Sequence, residues 1–589
     1  MLTNTLCLLT SLLATLACAS DVSGASNNSD TPDIPNITLA DGVPVGSIIR
    51  TGLSPLLSES AEISLKSDGD SWRRNSRRYS HFQEPQLAAV VLVKNEDDIL
   101  TTMRYAQENK RTLLVKGGGN GLAKMNHLKD VIMLDLSEMN KVTLNMKAWT
   151  VTVQPGARVE ELIEEIASKK FRSPFPTGDC VGVIGSTLGG GHGVFDGEYG
   201  LMIDNLLSAK MITAKGEKIV VNATENPDLF WGIKGAGNNF GLITEATYRV
   251  YLKGTLFHLT LEAEYSMESL EQLFEAMNEP DMPLEASSTI YFLPDSFMIY
   301  GHIPQIKKTE FPTRYSRLNT DTGSLIPLLE CNPEGWGYEY HKNQFSVSMK
   351  TIDPGVMALV YDEFSNFVRK HHAYYASIIK FESTIVRKMD QSASGGDATL
   401  LLTYDEEIND ALATEFGQKI RELLHHNTGN KVPHVLPNYA RGDEPLGALY
   451  GYDMERLDKL VALKRKYDPE QFFSAMTPIP LELPEDVLSQ MEEKNDGNRL
   501  KTQEVLDGKR ELKEEMVEGK GKVEEKVEKV PEALEIASEN PPAAKMEKAP
   551  EAAEAKPEVL EITEEKPEEE KDSRERAETA RQKLGPNEL

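Results

Sequence analysis

The chain has 589 residues and a formal net charge of −29 at pH 7. That length allows two or three domains, and a chain this acidic repels nucleic acid and anionic membrane, so neither is expected as a partner. Much of the excess charge falls in the C-terminal tail, so the net figure says little about a site in the globular part.

Residues 1–19 hold an apolar core, Leu6 to Leu16, and then the small residues Ala17, Cys18 and Ala19, with no Lys or Arg ahead of the core. This pattern predicts a signal peptide cut after Ala19, too short to span a bilayer, and hence a secreted protein. Its removal takes Cys7 and Cys18 away and leaves Cys180 and Cys331, which can form one bridge but no disulfide framework. Asn-X-Ser/Thr sequons at Asn27, Asn36 and Asn222 agree with export. Residues 20–71, rich in Ser, Asp, Asn and Pro, read as a flexible lead-in with a possible late turn of helix. The globular part is expected from about Trp72.

Ala88–Val93 is an apolar run of strand type. Ile99, Leu100, Met103 and Ala106 recur at helical spacing, with Asn95 placed as the cap and Glu96, Asp97 and Asp98 in the first turn. Thr112–Val115 reads as a buried strand, so strand, helix and strand deliver the chain into a glycine loop, as in an α/β unit. Strands are also expected at Val131–Asp135 and Thr150–Val153. A helix is expected over Gly156–Lys169, with Val159, Leu162, Ile163 and Ile166 on one face. A strand pair follows at Leu206–Thr213 and Lys218–Val221, then a short helix through Trp231 capped by Asn226-Pro227. The run from Gly235 to Gly241 spaces its glycines as GxGxxxG with no βα crossover after it, so it is not read as a dinucleotide fingerprint.

Residues 256–430 come next. Strands at Leu256–Glu262 and Ile290–Tyr300 and helices at Met267–Met277 and Leu359–His371 suit an antiparallel sheet with helices on one face. No chemical motif stands out there. From about Leu483 onward Glu, Lys, Pro and Ala dominate, and such sequence buries too little apolar surface to offset the entropy of ordering. Residues 483–589 are therefore expected to be a disordered acidic tail.

Two glycine clusters organise the chain: VKGGGNG (Val115–Gly121) and PTGDCVGVIGSTLGGGHGVFDGEYG (Pro176–Gly200). Glycine lets main chain approach a bound molecule closely and adopt positive φ, and successive amides in such turns converge on anions. Two clusters beside strand-like sequence suggest one large anionic cofactor gripped from two sides, and a flavin dinucleotide fits.

VKGGGNG, VGVIGSTLGGGHG, YGLMIDNLLSAKMITAKGE and ENPDLFWGIKGAGNNFGLITEATYRV, in that order, resemble the flavin domain of the vanillyl-alcohol oxidase superfamily, the PCMH-type FAD domain. PNYARGDEPLGALYG (Pro437–Gly451) and ERLDKLVALKRKYDPEQFF (Glu455–Phe473) resemble the closing segment of its berberine-bridge-enzyme-like branch. The resemblance implies an α+β protein: a two-lobed FAD domain at 72–255, an antiparallel-sheet substrate domain at 256–430 and a closing segment at 431–482. It also implies FAD as cofactor.

The cofactor-binding set is expected at Lys116, Gly117, Gly118, Gly119, Asn120 and Gly121 for the diphosphate. Thr177, Gly178, Cys180, Val181, Gly182, Ser186, Thr187, Gly190, Gly191, His192 and Gly193 follow in the second loop, with amides from Val181 to Gly193 expected around the flavin ring. Ile243 and Asn438 complete the set. Relatives often bond the flavin to a histidine whose position here is Asn120, which cannot form that bond. The linking cysteine of relatives lies three residues before the valine, at Gly178 here, whereas Cys180 directly precedes Val181. Noncovalent FAD is therefore expected, with a bond to Cys180 as the alternative.

In relatives the tyrosine of the closing Asn-Tyr pair often takes the substrate proton. Tyr439, after Asn438, holds that place, and Arg441 is expected to assist because a tyrosine titrates near 10 on its own. The tyrosine that usually precedes the pair is Leu436. No Cys/His set has metal-ligand spacing, so no metal is expected. The expected activity is oxidation of a small alcohol, amine, phenolic metabolite or sugar, with hydride passed to flavin N5 and oxygen as acceptor. A dehydrogenase or cyclase with another acceptor, or a degenerate flavin binder, remains as an alternative reading.

Overall fold

The computed structural model describes residues 44–193, 195–252, 256–264, 270, 287–304, 320–321, 340–350, 353–384, 396–426, 428, 430–484 and 487, all within one compact unit. The expected signal peptide, the sequons at Asn27 and Asn36, the helix over Met267–Met277 apart from Leu270, and the tail apart from its first residues lie outside them.

Strands β1 (Glu62–Ser64), β2 (Leu87–Leu92), β3 (Leu113–Lys116) and β4 (Val131–Asp135) make a first sheet in the order β1-β2-β4-β3. β2, β4 and β3 are parallel, because the helix Glu96–Glu108 carries the chain back between β2 and β3. Asn95 caps that helix, its Oδ1 accepting from Asp98 N at 2.9 Å. The folded part starts earlier than Trp72. Val45, Ile49 and Leu53 recur every four residues and bury one side of the helix Val45–Leu53 against Ala89, Val91 and Ile99. The polar composition around this helix masked its single apolar stripe.

A second sheet, antiparallel throughout, has the order β5-β6-β10-β8-β9, with β5 (Val142–Asn145), β6 (Thr150–Val153), β8 (Leu206–Ile212), β9 (Lys218–Asn222) and β10 (Leu242–Arg249). Beside it, β7 (Phe171–Arg172) pairs with β11 (Tyr251–Leu252). The helix expected from Gly156 is shorter, Val159–Ala167. Gly156 packs so tightly that an added Cβ would lie 2.1 Å from Leu136 O. Asn226 does not cap with its side chain. It sits at φ 50° and donates to Val220 O at 2.7 Å, and its helix runs on to Ala236 with a break at Lys234 and Gly235. A helix therefore leads into these glycines and a strand follows, the reverse of a dinucleotide fingerprint.

The third sheet is antiparallel in the order β15-β12-β14-β13-β17-β18-β16. Its strands are β12 (Leu256–Glu264), β13 (Ser287–Phe292), β14 (Ser296–Pro304), β15 (Thr320–Asp321), β16 (His341–Met349), β17 (Ile378–Thr384) and β18 (Gly396–Tyr404). The single strand expected over Ile290–Tyr300 is a hairpin, closed where Leu293 N donates to Ser296 O at 2.8 Å. Strand alternation sorts the residues of this sheet onto two faces. Ile290, Phe292, Phe345, Val347, Ile379, Phe381, Ala398 and Leu400 form a core with residues of the helices Pro354–Lys370 and Asp410–His426. Ser346, Ser348, Lys380, Glu382, Asp397 and Thr399 occupy the other face. The α+β class, with helices on one side of the antiparallel sheet, is the one expected. Leu457, Leu460, Val461 and Leu463 of the closing segment return to the core of the second sheet. Among the described residues no helix is long and apolar enough to cross a membrane.

Candidate active site

The two glycine loops touch. A Cβ on Gly118 would lie 2.4 Å from Gly182 N, and one on Gly182 would lie 2.6 Å from Gly118 N. Glycine is needed at both positions because main chain meets main chain there. Oriented to satisfy its neighbours, the Asn120 amide nitrogen donates to the main-chain oxygens of Cys180 (3.1 Å) and Gly118 (3.2 Å), clasping the loops together. Cys180, the one cysteine among the described residues, is disulfide-bonded.

The loops differ in what their amides do. No described residue accepts a hydrogen bond from the main-chain amides of Gly117, Gly118, Gly119, Asn120 or Gly121. Consecutive unpaired amides at a turn, with Gly119 at φ +78°, make a seat for an anion, and this fits the diphosphate of FAD. In the second loop most amides are already engaged. Val181 N donates to Gly178 O (3.3 Å) and Gly190 N to Thr187 O (2.9 Å). Gly191 N donates to Asn438 Oδ1 (2.9 Å) and Gly193 N to Asp196 Oδ2 (2.7 Å). The expected wall of ring-gripping amides from Val181 to Gly193 is thus mainly a self-bonded loop.

Other expected cofactor residues also have different employment. Lys116 Nζ pairs with Asp135 (2.9 Å) and donates to Asn75 O (2.9 Å). The hydroxyls of Ser186 and Thr187 bond back to Val183 O at 2.9 and 2.8 Å. Ile243 is buried in the core of the second sheet, whereas Thr177 and Gly178 stay half-buried at the loop. Asn438 spends both ends of its amide on the second loop, Nδ2 donating to Ser186 O at 2.7 Å. It positions its neighbour Tyr439.

Tyr439 lies in a short turn, Pro437–Tyr439, below the polar face of the third sheet. Its hydroxyl donates to Glu382 Oε2 and accepts from Lys380 Nζ at 3.0 Å. Lys380 also pairs with Glu382 at 2.8 Å and lies 4.5 Å from the centre of the Tyr439 ring. The residue as a whole is half-buried, with its hydroxyl held between Lys380 and Glu382. Arg441 is not its helper: it is buried among Asn343, Asp443 and Thr414. Burial and the Glu382 charge hold the Tyr439 hydroxyl well above its ordinary range. Burial pushes Glu382 up, but Lys380 and His192 outweigh it and hold the carboxyl below its ordinary value. The residue ready to accept a proton is therefore Glu382, through Tyr439. Sequence reading missed Lys380 and Glu382, although charges two apart in an otherwise apolar strand, Ile378-Ile379-Lys380-Phe381-Glu382, were the available sign.

His192 is buried beside this group. Its Nδ1 lies 2.6 Å from Asp196 Oδ2 and its Nε2 4.0 Å from Asp397 Oδ2, but neither nitrogen makes a well-directed hydrogen bond. Burial would push the imidazolium down, yet Glu382, Asp196 and Asp397 outweigh it and raise His192 to about 9. Burial also raises Asp397, and raises Asp196 to about 6. His192 holds its proton more tightly folded than unfolded, where it titrates near 6.5. Its stabilisation is fully present below about 6.5 and is lost as pH rises through about 9. The unfolding temperature is expected to fall over that range, and His192→Asn is expected to flatten the fall; an unchanged slope in the variant refutes this account.

A family model described as a FAD binding domain matches residues 87–222. The chain is 29% identical over 482 residues to the FAD-linked oxidoreductase OXR2 of Pyricularia oryzae, covering 73% of this chain and 91% of that one. Its fold is similar to that of BBE-like 1 from Physcomitrella patens, with a TM-score of 0.63 at 18% identity over 74% of this chain and all of the other. It is equally similar to the carbohydrate oxidase from Microdochium nivale, with a TM-score of 0.63 at 19% identity over the same shares. Glycine loops, roofing sheet and these likenesses agree: the chain is a FAD-linked oxidoreductase that carries a FAD binding domain and is similar in fold to berberine-bridge-enzyme-like proteins.

Proposed function

We propose that the protein is a secreted oxidase that removes two electrons and two protons' worth of hydrogen from a small substrate bearing a hydroxyl or amine, such as an alcohol, amine, phenolic metabolite or sugar. The observation that carries this reading is the Tyr439 hydroxyl set between Lys380 and Glu382 on a polar sheet face. FAD held noncovalently against the amides of Gly117–Gly121 would supply the hydride acceptor, with oxygen as the terminal acceptor and peroxide as product. As the substrate C–H bond breaks, Tyr439 takes the O–H or N–H proton and passes its own to Glu382. Lys380 stabilises charge that develops on the phenol oxygen, an effect strengthened by the low dielectric of a buried site. The Asn120 amide and the disulfide at Cys180 support noncovalent attachment, and a disulfide suits an oxidising compartment.

The test has three readouts. Acid precipitation should leave FAD in the supernatant; flavin in the pellet refutes the noncovalent reading. Protein reduced anaerobically by substrate should reoxidise rapidly on mixing with oxygen; slow reoxidation with fast transfer to a quinone or dye favours a dehydrogenase. N-terminal sequencing of protein from the culture medium should begin at Ser20, and retention inside the cell refutes secretion.

A further inference from the structure

Arg78 is buried against the first glycine loop. Its NH2 group donates to Gly121 O at 2.9 Å, and the next residue, Tyr79, donates its amide to Gly119 O at 3.0 Å. The NH1 group is buried without any hydrogen-bond partner. No described carboxylate forms an ion pair with Arg78. Glu84 is the acid whose charge reaches it, and that carboxylate pairs with His81 at 3.0 Å. A guanidinium stays charged in proteins, and a charge buried without a counter-ion is costly. The other cation of the loop, Lys116, is neutralised by Asp135. One positive charge therefore stands uncompensated beside five unpaired amides.

We infer that Arg78 is the counter-ion of the FAD diphosphate, binding it through NH1 while the amides of Gly117–Gly121 cradle it. This rests on the FAD reading above and adds to it a charged side chain that selects flavin nucleotides by their phosphates. A guanidinium suits this task because it presents several donors in a rigid fork to phosphate oxygens.

The experiment titrates apoprotein with FAD, FMN and riboflavin and reads the quenching of flavin fluorescence, alongside the thermal unfolding of each apoprotein. Arg78→Met is expected to weaken FAD binding by about ten- to a hundredfold, the scale of one charge-assisted hydrogen bond. Riboflavin, which has no phosphate, should bind both proteins equally. FMN, compared with FAD, reports whether one phosphate is enough. Apo Arg78→Met should be at least as thermostable as the wild type, because it removes an unpaired buried charge, and Arg78→Lys should recover part of the lost FAD affinity. Equal FAD affinity in wild type and Arg78→Met overturns the assignment. So does an equal loss for riboflavin and FAD, which marks Arg78 as a structural support of the loop. Wild-type protein that takes up no FAD overturns the FAD reading itself, a result separable from either.

Discussion

Glu382→Gln is expected to slow substrate-driven flavin reduction by about a hundredfold to ten-thousandfold, the usual scale for removing a positioned proton acceptor. The amide keeps the size of the carboxyl and can still meet Tyr439 and Lys380, but it cannot hold the substrate proton. Tyr439→Phe should lose a similar factor, because it removes the hydroxyl through which the proton reaches Glu382. The two residues form one relay, so the double variant should be little slower than either single one. Flavin content should be unchanged in all three, since neither side chain bonds the glycine loops. The pH profile adds a second check. Glu382 is held below its ordinary value by Lys380 and His192 against the opposing effect of burial, so the reductive rate should fall only on the acid side, as that carboxylate is protonated. Anaerobic stopped-flow measurement decides the matter: wild-type reduction rates in Tyr439→Phe would sink the proton-relay account.

Lys464→Met is expected to cost about 3–5 kcal/mol of stability, the range seen when one partner of a buried ion pair is removed. Lys464 and Asp468 are both fully buried, at 2.7 Å. The ammonium also donates to Asn239 O and Phe473 O at 2.9 Å each, while Asp468 accepts from the amides of Phe472 and Phe473 at 2.8 Å. Burial pushes the Lys464 ammonium down from its ordinary value, and the Asp468 carboxylate only partly restores it. Losing the lysine strands an unpaired carboxylate in the core and frees the closing segment from the glycine turn at Asn239. That segment ends beside the cofactor loop, where a Cβ on Gly121 would meet Met476. A looser hold on FAD should therefore accompany the instability. Lys464→Met combined with Asp468→Leu should regain most of the loss, because an apolar pair no longer strands a charge. Urea unfolding reads all three variants; a loss below about 1 kcal/mol for Lys464→Met would show the pair to be dispensable.

Features that depend on neighbouring residues were readable along the chain. Asn95 capping the helix Glu96–Glu108, the span of β4 and the strand-helix-strand run from β2 to β3 follow from side-chain periodicity and cap chemistry, which act over a few residues. The helix Val45–Leu53 was hidden because only three of its apolar positions are buried, and their partners lie in distant strands. Asn226 looked like a cap, but a strand end within reach of its side chain took it instead. The hairpin of β13 and β14 read as one strand because its turn, Leu293–Asp295, interrupts the apolar run only briefly.

By itself the amino-acid order marked out the α+β class, the two glycine loops and the inability of Asn120 to carry a histidyl bond, while Tyr439 was singled out by resemblance alone. Those properties belong to single residues or short windows. Tertiary structure alone decided that Lys116 is spent on Asp135 and that Arg441 faces away from Tyr439. It also brought Lys380 and Glu382 to the phenol, and His192 to Asp196 and Asp397. The physical reason is that a charged side chain takes the partner nearest in space, and in this fold that partner is set by strand register and by the contact of one lobe with another, which no local window contains.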